Sequence, residues 1–380
     1  MSADVADAAR GRRAVIKIGT SSITRDSGAL NDSAVERLVS NVAVAARGGW
    51  SICLVSSGAI AAGLPALGLE ARPDSVADLQ VLAAIGQGRL MQRYTSLFDD
   101  HGIIAGQVLL SASDFGQRVN YLNARQALDR MTELGVLPIV NENDTVAIDE
   151  IKFGDNDRLA ALVAHLIGAE VLVMLTDIEG FFTADPRLSS EASLIEEIVE
   201  FDRELEAMAG GAGTDRARGG MASKLAAARI ASWSGVRTVI ASAGEENVVS
   251  RVLSGESIGT SVQPHSHKLT SRKVWIAFGA PAAGRIVVDA GAKDALSMKQ
   301  ASLLPVGVLS VEGAFAAGDA VELIGPAGEA FAKGLSGIDS AVLADLAGMR
   351  TEDLPNGIRH EVIHRDDLVV LPGGSQAAPD

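Results

Sequence analysis

Short apolar runs alternate with longer amphipathic stretches from Arg13 to about Val262. This alternation is typical of βα units around a mostly parallel sheet. Several of the apolar runs are continuous, as expected of strands that helices cover on both faces. They are Ala14–Ile18, Ile52–Val55, Ile103–Leu109, Val136–Val140, Val171–Leu175 and Thr238–Ala241. The pattern predicts an α/β domain built as a three-layer αβα sandwich with a mostly parallel central sheet.

Between the predicted strands, apolar residues recur at helical spacing. In Val35–Ala46 they occupy positions 35, 38, 39, 42 and 46, which predicts an amphipathic helix. Either Asn31 or Ser33 could cap this helix, because both residue types accept hydrogen bonds from the first free N–H groups of a helix.

The pattern changes after the segment 263–272, which is polar, lacks periodicity and predicts a linker. Beyond it the apolar runs are short and separated by Gly and Pro, as in a small β-rich barrel. The predicted elements are strands at Val274–Phe278, Gly284–Val288, Val306–Val311, Ala320–Ile324 and Leu368–Leu371 and a helix at Ser340–Gly348. We therefore expect two domains, 12–262 and 273–372.

The composition is that of an acidic globular protein. Hydrophobic residues make up 47% and charged residues 21% of the 380 residues, which excludes a disordered chain. The net charge is -15 and only 4% of residues are aromatic, so binding to nucleic-acid backbones is disfavoured. Residues 273–380 carry 8 basic and 14 acidic side chains, so we expect no RNA binding by the second domain.

The sequence also predicts a cytoplasmic protein without a membrane partner. Its one cysteine, Cys53, lies in an apolar run, so an intrachain disulfide is impossible and a reducing compartment is expected. Asp4 and Asp7 stand where a signal peptide would be basic, and no uncharged apolar run approaches the ~18 residues of a membrane helix.

Lys17 interrupts the first apolar strand, and the small polar turn Gly19-Thr20-Ser21 follows it. Ligands of open α/β folds bind outside the carboxyl ends of the strands, where such a turn offers N–H groups to a phosphate. A second turn of small residues, Ser56–Ile60, ends the second strand. A lysine on an edge strand and simple steric packing are the alternatives; two such turns at one sheet edge favour a ligand site.

Polar residues also crowd the end of the fourth predicted strand and the start of the helix at Leu159. They are Asn141, Glu142, Asn143 and Asp144, then Asp155, Asn156 and Asp157. Such a group suits an amino group, a hydroxyl network, or the orientation of a lysine or magnesium site. Asx turns and an N-cap at Asp155 would explain one or two of these residues.

Thr176 and Asp177 close the strand Val171–Leu175, and further along a glycine-rich segment leads to Lys224. A mobile glycine loop before a lysine-bearing helix would cover nucleotide phosphates. This segment is not a Walker A loop, because no lysine of the chain follows a glycine, and no G-x-G-x-x-G separates a strand from a helix.

His360–His364 matches the zinc motif H-E-x-x-H. Its β-branched centre, Val362 and Ile363, and Gly357 before it argue against a helix. Without helical spacing the two imidazoles would not face one metal ion, so we expect no zinc site there.

Together these motifs resemble the amino acid kinase family, and within it the glutamate 5-kinase branch with its C-terminal PUA domain. The matching segments follow the family's order along the chain: Lys17–Ser21, Ser57–Gly63, Leu122–Arg125, Asn141–Asp144, Gly154–Asp157, Thr183–Arg187 and Gly219–Lys224. The segments Arg272–Ile276, Gly284–Ala292 and His364–Asp367 resemble a PUA domain. The resemblance therefore spans nearly the whole chain and implies the amino acid kinase fold followed by a small PUA barrel.

This resemblance implies transfer of the γ-phosphoryl group of ATP to the side-chain carboxylate of L-glutamate, the first step of proline biosynthesis. It implies Mg²⁺ held mainly by the nucleotide, feedback inhibition by proline, a homo-oligomer, and a glutamyl phosphate reductase as downstream partner. Another amino acid kinase, acting on acetylglutamate, aspartate or carbamate, is the alternative enzyme, and an RNA-binding protein is the alternative class. The C-terminal domain and the Asn141–Asp144 cluster favour glutamate.

Carried over residue by residue, the resemblance assigns catalysis to Lys17, Lys224 and Asp157. The two lysines would neutralise charge on the transferring group while Asp157 holds them in place. Glutamate would bind Ser57, Asp144 and Asn156, with Asp144 facing the α-ammonium group. ATP would bind Lys17, Thr176, Asp177, Arg218, Gly219, Gly220, Met221, Ala222, Ser223 and Lys224.

Two residues depart from the family pattern. Arg218 stands where the family usually has Thr, so a hydroxyl contact is replaced by a cation. Phe182 stands where Tyr is common, which removes a hydrogen-bonding group near the nucleotide.

Overall fold

The structure is a computed structural model that describes residues 11–25, 27–146, 156–184, 186, 189–201, 205, 208, 215–266, 268–355 and 360–371. The chain forms two compact units. Within the described ranges, the first comprises residues 11–114, 118–200 and 205–268, and the second comprises 115–117, 201 and 269–371.

An eight-stranded sheet forms the centre of the first unit. Its strands are β1 (Arg13–Ile18), β2 (Ser51–Val55), β3 (Ala105–Leu110), β4 (Leu137–Glu142), β5 (Val171–Thr176), β6 (Glu197–Ile198), β7 (Arg237–Ser242) and β8 (Thr260–Val262). Their order is β3-β4-β2-β1-β5-β7-β8-β6, and only the β7–β8 pair is antiparallel. The predicted mostly parallel sheet is confirmed. Strands β6 and β8 were not predicted, because they are too short to show an apolar pattern.

Helices cover both faces of this sheet. Those described up to residue 268 are α1 (Thr20–Ile23), α2 (Asp32–Arg47), α3 (Ala59–Gly63), α4 (Val76–Asp99), α5 (Ala112–Gly116), α6 (Arg118–Glu133), α7 (Asp157–Ile167), α8 (Asp215–Trp233) and α9 (Val248–Leu253). On one face, α2, α4 and α9 share a hydrophobic core with Ile16 and Val173. Because side chains alternate along a strand, Lys17 faces the other side, where α7 packs on β1. The three-layer prediction is confirmed.

Helix α2 shows how a local signal sets an element boundary. It begins at Asp32, and the side chain of Asn31 accepts a hydrogen bond from the Ala34 N–H group. Ser33, the other predicted cap, instead donates to Asn31 Oδ1 at 2.8 Å. Asn31 is therefore the cap, which satisfies one of the free N–H groups of the first turn.

Glycines allow α3 and α4 to touch through their backbones. A Cβ atom at Gly86 would lie 1.8 Å from the carbonyl oxygen of Ala59, and one at Gly63 would lie 2.2 Å from that of Leu82. No other residue type fits at such distances. The crossing fixes the position of α4 against the turn that follows β2.

A smaller five-stranded sheet forms the second unit, which confirms the β-rich C-terminal prediction. Its elements are β9 (Gly284–Val288), β10 (Val308–Gly313), β11 (Ala320–Ile324), β12 (Ala330–Leu335) and β13 (Leu368–Val370), with α10 (Ser271–Val274), α11 (Ala290–Lys299) and α12 (Ser340–Leu346). The order is β10-β9-β11-β12-β13, and only β9 and β11 pair in parallel. Among the described residues, no helix is long and apolar enough to cross a membrane.

The strand predicted at Val274–Phe278 is wrong. Val274 ends α10, and the residues after it form a single π-helical turn, Trp275–Gly279. The Thr270 side chain caps α10 by accepting a hydrogen bond from the Lys273 N–H group. In a short buried apolar run, periodicity alone does not separate a helix from a strand. The capping residue Thr270 was the signal that indicated a helix.

Two further elements of this unit were missed. Strand β12 has Lys333 and Gly334 inside its apolar run, and α11 is capped by Asp289, whose side chain accepts from the Ala292 N–H group. By contrast, the prediction that the segment His360–His364 is not a helix is confirmed. Ile363 forms a β-bridge with Leu303. Gly357, part of that argument, lies outside the described residues.

Candidate active site

A buried carboxylate lies between two lysines at the carboxyl end of β1. Lys17 Nζ forms an ion pair with Asp157 Oδ1, and Lys224 Nζ lies 3.1 Å from Asp157 Oδ2. The Asp157 side chain is 0% exposed, that of Lys17 2%, and that of Lys224 12%. Separated charges at such depth would be strongly disfavoured, so their contact is what permits burial. The three side chains together carry one excess positive charge, which suits an anionic ligand.

Helix α7 positions the carboxylate. Asp157 is its first residue, and an acidic side chain in the first turn interacts favourably with the positive end of the helix dipole. Because α7 packs on β1, its N-terminus lies beside Lys17. The structure therefore brings together the three residues predicted to be catalytic.

Lys224 lies within α8, and the part of the predicted glycine loop at 218–220 is helical as well, which corrects the prediction for these residues. The helix begins at Asp215, so the backbone of 218–224 is helical throughout. Good helix formers after Lys224, among them a run of alanines at 226–228, favour extension of the helix toward its N-terminus through Gly219 and Gly220. Lys224 Nζ also donates to the Gly220 carbonyl oxygen at 3.4 Å. The side chain of Arg218 and the glycines upstream at 210, 211 and 213 lie outside the described part.

A network of side-chain amides and hydroxyls joins the ends of β2 and β4 to α7. Asn156 Nδ2 donates to the Ser56 carbonyl oxygen at 2.6 Å and to Asn141 Oδ1 at 2.7 Å, and lies 3.3 Å from Ser57 Oγ. Ser57 and Asn156 are 4% and 5% exposed. Two of the residues predicted to bind glutamate, Ser57 and Asn156, are thus in contact.

Residues of α4 that were not predicted as functional support this network. Asn141 Nδ2 donates to Gln87 Oε1 at 2.7 Å, and the hydroxyl groups of Tyr94 and Ser56 lie 2.9 Å apart. Burial raises the pKa of Tyr94 to about 12, so its hydroxyl stays protonated near neutral pH. The sequence did contain one signal for Gln87, because it is a polar residue on the otherwise apolar face of α4.

The turn after β2 depends on Gly58. Its φ is +95°, in the left-handed region that glycine favours, and a Cβ atom there would lie 2.9 Å from Ile23 Cδ1. This turn holds Ser56 and Ser57 against Asn156 before α3 begins.

Asp144 lies half-buried beyond the end of β4. Burial raises the pKa of its carboxyl group from 3.8 to about 6, and the positive charge of Arg72 partly offsets this rise. Arg72 is another residue that the motifs did not identify. Residues 147–155, including Gly154 and Asp155, lie outside the described residues. The N-cap position of α7 is Asn156, which corrects the prediction of an N-cap at Asp155.

Thr176 and Asp177 lie at the same edge of the sheet. Thr176 ends β5, which pairs with β1, and its hydroxyl donates to Asp177 Oδ1 at 3.0 Å. The Gly19 N–H group donates to the Leu175 carbonyl oxygen at 3.2 Å, which ties the turn after β1 to β5. Met221, Ala222 and Ser223 lie on α8 within one turn of Lys224.

The donor set bears on how a magnesium ion would be held. The part of the chain that the structure describes contains no group of three or more His, Cys, Asp and Glu side chains able to hold a metal ion. Both oxygens of Asp157 contact lysines. These residues fit a nucleotide whose own phosphates carry the ion, with the lysines binding the phosphates.

Comparison with known proteins extends these observations over the whole chain. The family model "Amino acid kinase family" matches residues 12–242, and the model "PUA domain" matches 284–358. A protein named glutamate 5-kinase from Caldanaerobacter subterraneus subsp. tengcongensis is 45% identical over 96% of this chain and 99% of its own. Proteins of the same name from Moorella thermoacetica (44% identical) and Burkholderia cenocepacia (45%) each cover 95% of this chain, with 96% and 98% of their own lengths aligned.

Proposed function

The chain belongs to the amino acid kinase family, and from that membership we propose that it transfers the γ-phosphoryl group of ATP to the side-chain carboxylate of L-glutamate. The product would be γ-glutamyl phosphate, the first intermediate of proline biosynthesis. The names of relatives that match nearly the full length of the chain support glutamate over acetylglutamate, aspartate or carbamate as the acceptor.

The observation that carries the proposal is the Lys17–Asp157–Lys224 cluster. In the reaction a carboxylate oxygen bonds to the γ-phosphorus while the bond to the ADP oxygen breaks, so two anions must meet. Magnesium ATP supplies the phosphoryl group and, when bound, screens part of its charge. The ammonium groups of Lys17 and Lys224 neutralise the remaining charge, and Asp157 holds them at a fixed separation. The attacking carboxylate carries no proton to lose, so no general base is required.

The glutamate site would comprise Ser57, Asn156 and Asp144. Ser57 and Asp144 follow strands, and Asn156 directly precedes α7, at the edge of the sheet where Lys17 lies. An ionised Asp144 would accept hydrogen bonds from the α-ammonium group, and this charge-assisted contact would orient the side-chain carboxylate toward Lys17.

The nucleotide site would comprise Thr176, Asp177 and the helical segment 218–224. In that segment the flank of Gly220 is open toward the described part of the chain, because a Cβ atom there would meet none of its atoms within 4 Å. An open backbone beside Lys224 leaves room for a phosphate chain.

Several sequence-based predictions remain part of this proposal. They are magnesium as the nucleotide-bound ion, inhibition by proline, a homo-oligomer, a downstream glutamyl phosphate reductase, a cytoplasmic location, and domains at 12–262 and 273–372 joined by the linker 263–272.

An acyl-phosphate trap tests the function directly. The purified protein is incubated with ATP, Mg²⁺ and hydroxylamine, and hydroxamate is measured with L-glutamate, N-acetylglutamate or L-aspartate, each with and without proline. Of the three acids, we expect only L-glutamate to give hydroxamate, and we expect proline to reduce its formation. Hydroxamate formed from another acid instead would contradict L-glutamate as the acceptor. Absence of hydroxamate with every acid would refute the proposed phosphoryl transfer.

A further inference from the structure

We infer that Gln87 is a positioning residue that orients the Asn156 side-chain amide and thereby favours a substrate with an α-ammonium group over an analogue that lacks it. The inference rests on the proposed function and deepens it by assigning substrate discrimination to a residue outside the motifs. Hydrogen bonds connect the side-chain amides of Gln87, Asn141 and Asn156 in series.

Both hydrogens of the Asn156 amide nitrogen are used inside the protein. An amide NH₂ group has two hydrogens, and Asn156 Nδ2 donates at 2.6 Å to the Ser56 carbonyl oxygen and at 2.7 Å to Asn141 Oδ1. Asn156 Oδ1 has no hydrogen-bond partner among the residues that the structure describes. This oxygen is the group that Asn156 can offer to a ligand, and it can only accept a hydrogen bond.

The orientation of Asn156 requires that Asn141 present its oxygen. Asn141 Oδ1 accepts from Asn156 and from the Glu142 N–H group at 2.9 Å, while Asn141 Nδ2 donates to Gln87 Oε1 at 2.7 Å. If the Asn141 amide were reversed, its NH₂ group would face the donors of Asn156 and Glu142. Gln87 is the acceptor that stabilises the observed polarity from the far end.

Gln87 is itself held in one orientation. It follows Gly86, whose contact with Ala59 fixes α4 against α3. Gln87 Nε2 is buried and has no hydrogen-bond partner within the described residues. An unpaired buried N–H group costs free energy of folding. Reversal of the Gln87 amide would add a second cost, because its NH₂ group would then face the NH₂ group of Asn141. The observed orientation of Gln87, with Oε1 toward Asn141 and Nε2 unpaired within the described residues, indicates that Oε1 serves as the acceptor for Asn141.

The consequence is discrimination at the α-position of the substrate. The Asn156 oxygen would accept a hydrogen bond from the ammonium group of L-glutamate. Glutarate, which lacks that group, would leave the oxygen unpaired, and sites that bond a substrate N–H group reject analogues without it. The Asn156 oxygen therefore favours dicarboxylic acids that carry an N–H donor on the α-carbon over those that carry none.

The test compares Gln87→Met with Gln92→Met, the same change at an exposed position of the same helix. We expect Gln87→Met to raise KM for L-glutamate about three- to tenfold, the loss of one hydrogen bond, with kcat and KM for ATP within about twofold. The preference for L-glutamate over glutarate, measured as the ratio of kcat/KM values, should fall by the same factor. A preference equal to that of the parent and of Gln92→Met would overturn the inference.

A readout without substrate separates this inference from the proposed function. In protein labelled with [¹⁵N]asparagine, NMR measures hydrogen exchange of the side-chain NH₂ groups of Asn141 and Asn156. We expect exchange to be at least about fivefold faster in Gln87→Met and unchanged in Gln92→Met. Equal exchange in all three proteins would overturn the inference, whatever acid the enzyme phosphorylates. If Gln87→Met fails to fold, Gln87→Asn withdraws the same oxygen by one methylene and carries the same expectations.

Discussion

Lys224 Nζ lies 3.1 Å from Asp157 Oδ2, although the two residues are 67 positions apart in the chain. The first residue of α7 thus contacts a lysine of α8, and the same carboxylate contacts Lys17 of β1. One buried acid determines the spacing of two cations.

Removal of either lysine should reduce turnover more than substrate binding. For Lys224→Ala and Lys17→Ala we expect kcat to fall about 10²–10³-fold, because each ammonium group would stabilise charge mainly in the transition state. Lys299→Ala, which removes an exposed lysine of the second unit, is the control and should leave kcat unchanged. Near-normal turnover of Lys224→Ala would contradict the charge-neutralisation role.

Replacement of the shared acid should destabilise the protein as well as slow it. Asp157→Asn keeps the volume but removes the negative charge that the ammonium groups of Lys17 and Lys224 both contact, so we expect the free energy of unfolding to drop by about 3 kcal/mol. The exposed Asp74→Asn is the matched control and should change it by no more than about 0.5 kcal/mol. Denaturant unfolding monitored by circular dichroism measures both. Equal stabilities would show that the two lysines do not depend on Asp157.

The raised pKa of Asp144 predicts a pH dependence for glutamate recognition. With a pKa of about 6, Asp144 is ionised above pH 6 and protonated below it. A neutral carboxyl group binds an ammonium group weakly, so kcat/KM for L-glutamate should fall as the pH drops through about 6, about tenfold per unit.

Asp144→Asn serves as the comparison in that pH series. It should have a higher KM for L-glutamate at pH 8 and no step near pH 6, since the titrating group is gone. If its profile keeps the step, another group titrates; if its KM at pH 8 equals that of the parent, Asp144 does not contact the ammonium group.

Two glycines of α4 provide a matched test of the α3–α4 crossing. Gly86→Ala would place a Cβ atom 1.8 Å from the Ala59 carbonyl oxygen, so the helices must separate and the free energy of unfolding should fall by about 3 kcal/mol or more. At Gly88 a Cβ atom meets nothing within 4 Å, so Gly88→Ala should stabilise the protein by about 0.5–1 kcal/mol. Loss of stability in both variants would indicate that α4 tolerates no substitution of its glycines, and the effect at Gly86 would then not report a close contact between α3 and α4.

The sequence predicted the sheet because its central strands are buried on both faces and therefore read as continuous apolar runs. Strand β1, whose residues Arg13–Ile18 are all buried, is the clearest case. The π-helical turn Trp275–Gly279 was misread because five residues show no period that separates a strand from a helix. The two-residue strand β6 carries too few positions for any pattern.

The candidate site could be predicted only in part, for a related reason. Lys17 and Asp157 are unusual where they stand, since a charged residue in an apolar strand and an acid at a helix start both invite a functional explanation. Gln87 and Tyr94 are ordinary residues of a long helix, and their importance arises from contacts with residues 38–54 positions away in the chain. Such contacts depend on the tertiary fold, which a single sequence does not reveal.

The most direct test of the central claim follows the oxygen atom of the acceptor. L-Glutamate carrying ¹⁸O in both oxygens of its side-chain carboxylate is incubated with the enzyme, ATP, Mg²⁺ and hydroxylamine, and the released phosphate is analysed by mass spectrometry. If the carboxylate attacks the γ-phosphorus, hydroxylamine then breaks the C–O bond of the acyl phosphate, and each phosphate retains one ¹⁸O atom. Phosphate without ¹⁸O would show that water or another acceptor received the phosphoryl group and would contradict the account.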